Sequence, residues 1–427
     1  MREAFEHQRM TVLGRPSRFA DRRGVALAMS LVVAIVLASL GASLLMRSLN
    51  EDLIGQRSAA RQEAFYLAEA GVDRASINLR TPTDTSDDIP PDATTHVVLP
   101  SGYFTLETPQ LIGVNTWKVT SHGYSGSEHR RIETIYLLTP QSIFQYAVFG
   151  DQGVRMNGNI HTDSYDSRLG PYNTNSQNGP INHGQHGDVG TNSTQGANAN
   201  ETPAVDLIGN SYQIEGKILV GPGVADPTQV VDGENASHIT GDPMVVSASA
   251  TFPMPPVTVP AALQSSCADL SLSGNGASVS LPPTGGPLHN GTYCYHNVSL
   301  KGGATLTSSG PVTIYVTGTL TATGNSTTIG SSGAPKHMLF LMKPDSQALL
   351  QNDEEGSLGG HTRFYGGIYG PQADIDVFGN AEVFGSIVAH SVQVQGSAQV
   401  HYDEGLAELT TIQNIYQRQV ISWQELN

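Results

Sequence analysis

From Val25 to Met46 the chain runs for 22 residues without a charge. At about 1.5 Å per residue such a run spans roughly 33 Å as a helix, enough to cross the hydrocarbon core of a bilayer. A helix that is apolar all round is otherwise stable only inside a large core, and nothing downstream is apolar enough to enclose one. A secretory signal core is shorter, about 7–15 residues, and gives way to non-helical chain at a small-residue cleavage site. Here Arg47, Glu51 and Asp52 follow within a helical pattern that continues to Leu79. The run is therefore expected to stay with the chain as a single membrane span.

Beyond the membrane, Leu49, Leu53, Ala60, Ala64, Leu67, Gly71 and Ala75 recur at spacings of three and four, with a break at Gln56. That rhythm draws a narrow stripe of mostly small residues along one helix face, and small stripes let helices approach closely. No proline and no paired glycine interrupts the chain from Val25 to Arg80. A single rod of roughly 80 Å is expected, half in lipid and half offering the stripe to a partner.

A basic leader ending in Gly24, an apolar helix starting at Val25, and the segment Ala64-Phe65-Tyr66-Leu67-Ala68-Glu69-Ala70-Gly71-Val72 resemble the N-terminal region of the PilX-type pilus-assembly proteins, relatives of type IV pilins and pseudopilins. The resemblance covers about the first eighty residues and extends to about residue 139. It implies cleavage between Gly24 and Val25 by a prepilin peptidase, and side-by-side packing of the helices in a filament or assembly complex. Major pilins of that family carry a glutamate five residues after the cut. This chain has Met29 there, and Val25 in place of an aromatic first residue, so the resemblance implies a minor or accessory subunit.

A chain of 427 residues is expected to hold two or three folded units. Only 14% of its residues are charged and glycine is abundant, which fits a turn-rich extracytoplasmic β protein better than a helical enzyme. The formal charge of −16, with basic residues scattered outside the leader, argues against nucleic acid as a partner. Within the leader, residues 1–24, Arg2, Arg9, Arg15, Arg18, Arg22 and Arg23 outweigh Glu3, Glu6 and Asp21. That excess places the N-terminus in the cytoplasm and everything after residue 47 outside it. With the resemblance, this implies a bacterial inner-membrane protein whose bulk is periplasmic or pilus-associated.

After the helix of residues 25–80, Pro82 and the acidic, proline-bearing stretch 81–92 read as a linker. Residues 93–139 hold alternating runs at Tyr103–Glu107, Thr116–Ser121 and Arg131–Leu138, separated by turn residues. They predict an antiparallel meander packed on the outer half of the helix, an arrangement that the pilin resemblance also implies. From Ile143 onward, short β-prone strings alternate with glycine-plus-small-polar corners. The clearest repeat sets Asp376–Val383 against Gln393–Val400, seventeen residues apart. Glycine at a corner permits positive φ, and small neighbours let coils stack at about 4.8 Å. The fold class expected is therefore α+β: a long transmembrane helix with a small pilin-like meander, followed by a mainly-β right-handed β-helix or solenoid. A β-sandwich with long loops is the competing arrangement, because the spacing elsewhere is irregular.

In this scheme residues 140–260 form the Gly/Asn-rich start of the solenoid, with 161–206 as a surface insertion. Residues 261–402 form the β-helix, and 403–427 form a cap that begins with a helix near 404–412. Gly310–Gly318, Gly366–Ala373 and His401–Glu404 resemble the C-terminal β-helical domain that often follows a PilX-like N-terminus and, more distantly, the bactofilin scaffolds. Cys267 and Cys294, both outside the membrane, are expected to form a disulfide stabilising by roughly 3 kcal/mol in the chain-entropy picture. Two unrelated thiols are the alternative.

Little in the sequence speaks for catalysis. His183, His186 and Asp188 read as a solvated loop and not a metal site, with His161 and Asp163 joining them only if the fold brings them close. Asp374, Asp376, Glu382 and Asp403 are the carboxylates that a β-helix hydrolase would need. No cofactor, metal or catalytic residue is expected. The expected function is that of a membrane-anchored minor pilin-like or accessory component of type IV pilus or pseudopilus assembly, with other pilin-like subunits as partners. An anchored glycan-binding β-helix, or a polysaccharide-acting enzyme, is the alternative.

Overall fold

The computed structural model describes residues 19–79, 96–196, 202–209, 211–233, 235, 237–331, 333–343, 356–410 and 415–426. Residues 1–18 of the leader and the linker expected at 81–92 lie outside the described residues. Helix α1 runs unbroken from Phe19 to Asn78, roughly 90 Å of rod. Its apolar part satisfies its own few hydroxyls. Ser30, Ser39 and Ser43 each donate to a carbonyl three residues earlier, at 2.8–2.9 Å, so no polar side chain there depends on water.

The C-terminal end of α1 lies on an antiparallel sheet made of β1 (Val97–Leu99), β2 (Gly102–Leu106), β3 (Gln110–Gly113), β4 (Thr116–Ser125) and β5 (Glu128–Gln141). In β5 the period-two alternation turns Ile132, Thr134, Tyr136 and Leu138 inward. With Phe104, Leu106 and Val119 the apolar ones close over Ala68, Val72 and Ala75 of the helix and Leu79 just past its end. The sixth strand is Ile415–Leu426, which returns from the far end of the chain to pair antiparallel with β5. Residues 415–426 thus complete the helix-docking sheet and do not cap the stacked strands. Of the helix expected near 404–412, a short 3-10 turn at Glu404–Glu408 is present, and residues 411–414 lie outside the described residues.

Residues 148–403 contribute a second sheet of twenty strands, and among the described residues its strands pair in parallel, apart from two isolated antiparallel bridges. Its strands stack in columns. One column passes from 298–301 through 320–323, 356–358, 375–377 and 391–396 to 153–158 and 205–208. Along it Leu300, Ala322, Leu358, Val377, Val394, Met156 and Leu207 share one register position and are all buried, so apolar sits on apolar at every level. The repeat spaced by seventeen residues is in register, with Val377 opposite Val394 and Val383 opposite Val400. Corner glycines stack as well. Gly360, Gly379 and Gly396 hold φ of 72°, 74° and 83°, and a Cβ on Gly396 would come within 2.8 Å of the Gly379 carbonyl.

The expected fold class needs correction. Among the described residues strands account for 46% and helices for 19%, so the fold is mostly β and not α+β, and neither sheet closes on itself. The small pilin-like meander is replaced by a six-stranded sheet that includes the chain's last strand. The parallel strands of the larger sheet stack in an order that departs from the sequence. Strand Glu382–Gly396 pairs with strand Val148–Gly158, so the early strands continue the stack beyond the late ones. The chain then returns along the stack through residues 249–266. On the way Phe252 meets Tyr146 and Phe149, and Pro255 accepts a bond from the Tyr369 hydroxyl at 2.6 Å. The supposed insertion 161–206 contributes His161–Tyr165 and Val189–Thr191 to the stack, and the loop proper lies between them.

Candidate functional site

The helix is divided into two parts of different character. One helix among the described residues is long and apolar enough, by length and composition, to cross a membrane, and none of its most apolar stretch is buried. Leu27, Leu31, Ile35, Leu40, Leu44 and Leu45 lie bare, and the exposed apolar surface continues through Leu49, Leu53 and Ile54. Each such side chain left in water forgoes about 1.5–3 kcal/mol relative to burial. Gly24 and Val25, the expected processing site, lie within α1.

From residue 60 onward the small-residue stripe has a different use from the one expected. Ala64 is fully buried, and Leu67 and Ala75 nearly so, all beneath the helix-docking sheet. Gly71 lies so close to the sheet that a Cβ there would collide with the Ser121 hydroxyl and reach 2.9 Å from the Phe104 ring. Gly123 of β4 in turn presses its backbone onto the Ala64 carbonyl. Small side chains let the sheet approach, so this half of the stripe is taken by the chain's own strands and not offered to a neighbouring helix. Leu49 and Leu53 remain open and Ala60 is half-buried. Polar contacts fasten the rim of the dock. Arg61 Nε donates to Glu128 at 3.0 Å and Ser125 donates to Glu63 at 2.7 Å.

Cys267 and Cys294 are bonded to each other, joining the end of the returning segment to strand Thr292–Lys301. The four carboxylates considered for hydrolysis are each engaged by other groups of the chain. Asp374 takes Ser391 Oγ at 2.6 Å and His390 Nδ1 at 3.0 Å, while Asp376 takes Gln395 Nε2 on both oxygens. Glu382 pairs with Arg363 at 2.9 Å, and Asp403 accepts the Ser167 and Gly405 amides. Each is bound to near neighbours on the stack. Sequence reasoning missed Gly123 and Trp423 as docking residues, because neither lies in a helix pattern.

A family model described as a domain of unknown function (DUF7305) matches residues 294–409. No curated protein matches the chain. Among solved structures, the competence-associated pilin ComZ from Thermus thermophilus is similar at 12% identity and a TM-score of 0.25, covering 86% of this chain and 97% of that one. The DUF3494 domain of Shewanella frigidimarina ice-binding protein_1 is similar at 17% identity and a TM-score of 0.27, covering 61% of this chain and 95% of that one. At such TM-scores neither likeness carries an argument about this chain.

Proposed function

We propose that the chain is a membrane-anchored, pilin-related accessory subunit that acts by packing and not by catalysis. The bare apolar half of α1 carries this reading. A helix of some thirty residues with no cover from its own chain needs lipid, other helices, or both. The docked half of α1, locked under the sheet, would hold the stacked strands at a fixed distance from the membrane. Neighbouring helices would meet α1 along Leu49, Leu53 and the membrane span. In this reading the N-terminus is cytoplasmic, the stacked strands face the periplasm or the pilus, and Gly24–Val25 is cut by a prepilin peptidase.

Photo-crosslinkers placed at Leu49 and Leu53 in native membranes test the packing, with crosslinks to other pilin-like subunits expected. The N-terminus of the mature chain, read by mass spectrometry, is expected at Val25. Recovery of a soluble chain beginning beyond Met46 would remove the anchor and the assembly role with it.

A further inference from the structure

Four side chains distant in sequence converge at one edge of the stack. His161 and Asp163 belong to strand His161–Tyr165, His183 to the loop that follows, and Glu215 follows Gln213–Ile214, which pairs with His161–Thr162 on the next level. His161 Nε2 lies 3.1 Å from Glu215 Oε1 and 3.9 Å from Asp163 Oδ2. His183 Nε2 lies 3.2 Å from Glu215 Oε2 and 3.3 Å from Asp163 Oδ2. Imidazole nitrogens and carboxylates thus alternate around a small ring.

Hydrogen bonds alone serve this ring poorly. A neutral imidazole carries one N–H, and at His183 Nε2 that hydrogen would face two carboxylates at nearly equal distance. The Asp163 side chain is 0% exposed and that of Glu215 is 12% exposed. Two carboxylates so far withdrawn from water need a counter-charge. A tetrahedral Zn²⁺ with bonds of about 2.0–2.1 Å holds its ligands roughly 3.3 Å apart, and the four separations in the ring bracket that value. Asp163 is also braced from behind, as metal-binding carboxylates are. His401 Nδ1 lies 2.6 Å from Oδ1, and the Tyr172 hydroxyl donates to Oδ2 at 2.6 Å.

As the side chains stand the ring is closed by direct contacts, and among the described residues no group of three or more His, Cys, Asp or Glu side chains is placed to hold a metal ion. Small side-chain shifts would open it. We propose that His161, His183, Asp163 and Glu215 form a four-ligand structural site for a divalent first-row ion, with Zn²⁺ the best fit. All four tetrahedral positions come from the protein, which marks a structural and not a catalytic centre. The ion would pin the loop carrying His183 to two adjacent levels of the stack.

Full-length chain in detergent, stripped by chelator and dialysed, is titrated with Zn²⁺ alone by calorimetry while bound metal is counted by mass spectrometry. One Zn²⁺ per chain is expected, with His183→Ala weakening binding at least tenfold. His186→Ala is expected to leave binding unchanged, because that ring pairs with Glu404 at 2.8 Å outside the ring. No stoichiometric binding, or equal binding by the wild type and His183→Ala, overturns the proposal. Should the substitution disturb folding, the wild type decides alone. Zn²⁺ must slow proteolysis between residues 166 and 188, EDTA must reverse this, and absence of protection overturns the site.

Discussion

Trp423, in the last strand of the chain, packs edge-on against Phe65 of α1 with ring centroids 6.0 Å apart. The same strand is fastened by Arg130 to Glu425 at 2.8 Å and by Gln424 to Glu133 at 2.9 Å. Trp423 is about half exposed, so its truncation loses a ring contact and part of a burial, not a full core residue. Trp423→Ala should therefore destabilise the helix-docking sheet by about 1–2 kcal/mol. Thermal unfolding should shift down, and limited proteolysis should release residues 415–426 first. A variant with wild-type protease resistance would show that the strand is held by its backbone ladder alone.

The dock between α1 and β4 makes a sharper prediction. Gly123→Ala forces a methyl into the Ala64 carbonyl and should cost about 1–3 kcal/mol as an overpacked contact. Gly55, also in α1, has nothing within 4 Å. Gly55→Ala should instead stabilise the isolated chain by up to about 1 kcal/mol through helix propensity. Melting curves of the two variants in detergent should move in opposite directions. A shared direction would mean that the sheet does not bear on the helix at residue 64.

What the sequence disclosed divides along local and non-local physics. The long helix was legible because an uncharged run has few solutions, and the seventeen-residue repeat was legible because Val377 and Val394 occupy one register position on adjacent levels. The interrupted stacking order was not. Parallel partners need no turn between them, so nothing near Val148 announces its pairing with Ile387. A small face such as Ala64–Leu67–Gly71–Ala75 suits a sheet as well as a helix, so its periodicity alone does not say which element lies on it, and here it is the chain's own sheet. His161, Asp163, His183 and Glu215 lie far apart in sequence, and only the fold brings them together.

The Cys267–Cys294 bond should matter most at its own end of the stack. It closes a loop of 27 residues in sequence separation, worth roughly 3 kcal/mol in the chain-entropy picture. Cys294 also packs with Val259 and Leu263 of the returning segment. Replacing both cysteines by alanine, or reducing the bond, should open residues 259–273 to hydrogen exchange while strands near Val392 stay protected. Uniform loss of protection would mean that the stack unfolds as one unit.

Asp403 offers a test of pH dependence with a definite sign. Its side chain is fully buried, and Oδ1 accepts both the Ser167 amide at 2.9 Å and the Gly405 amide at 3.0 Å. Oδ2 and the hydroxyl of Tyr165 are buried with no hydrogen-bond partner among the described residues. Burial pushes the Asp403 carboxyl above its ordinary pKa, and the Ser167 and Gly405 amides only partly oppose this. The folded state therefore holds this proton more tightly than the unfolded chain does. The stability it contributes is fully present below the unfolded pKa and is lost as pH rises through the folded one. Asp403→Asn keeps an oxygen for both amides and removes the charge, so at pH 7 it should be at least as stable as the wild type, with the advantage shrinking towards pH 4. Asp403→Ala strips both amides of their acceptor and should destabilise by about 1–3 kcal/mol at every pH. Melting temperatures of the three proteins between pH 4 and pH 8 decide the matter: a wild type that gains on Asp403→Asn as pH rises would mean that this carboxylate is stabilised in the fold by a cation, and not merely tolerated there.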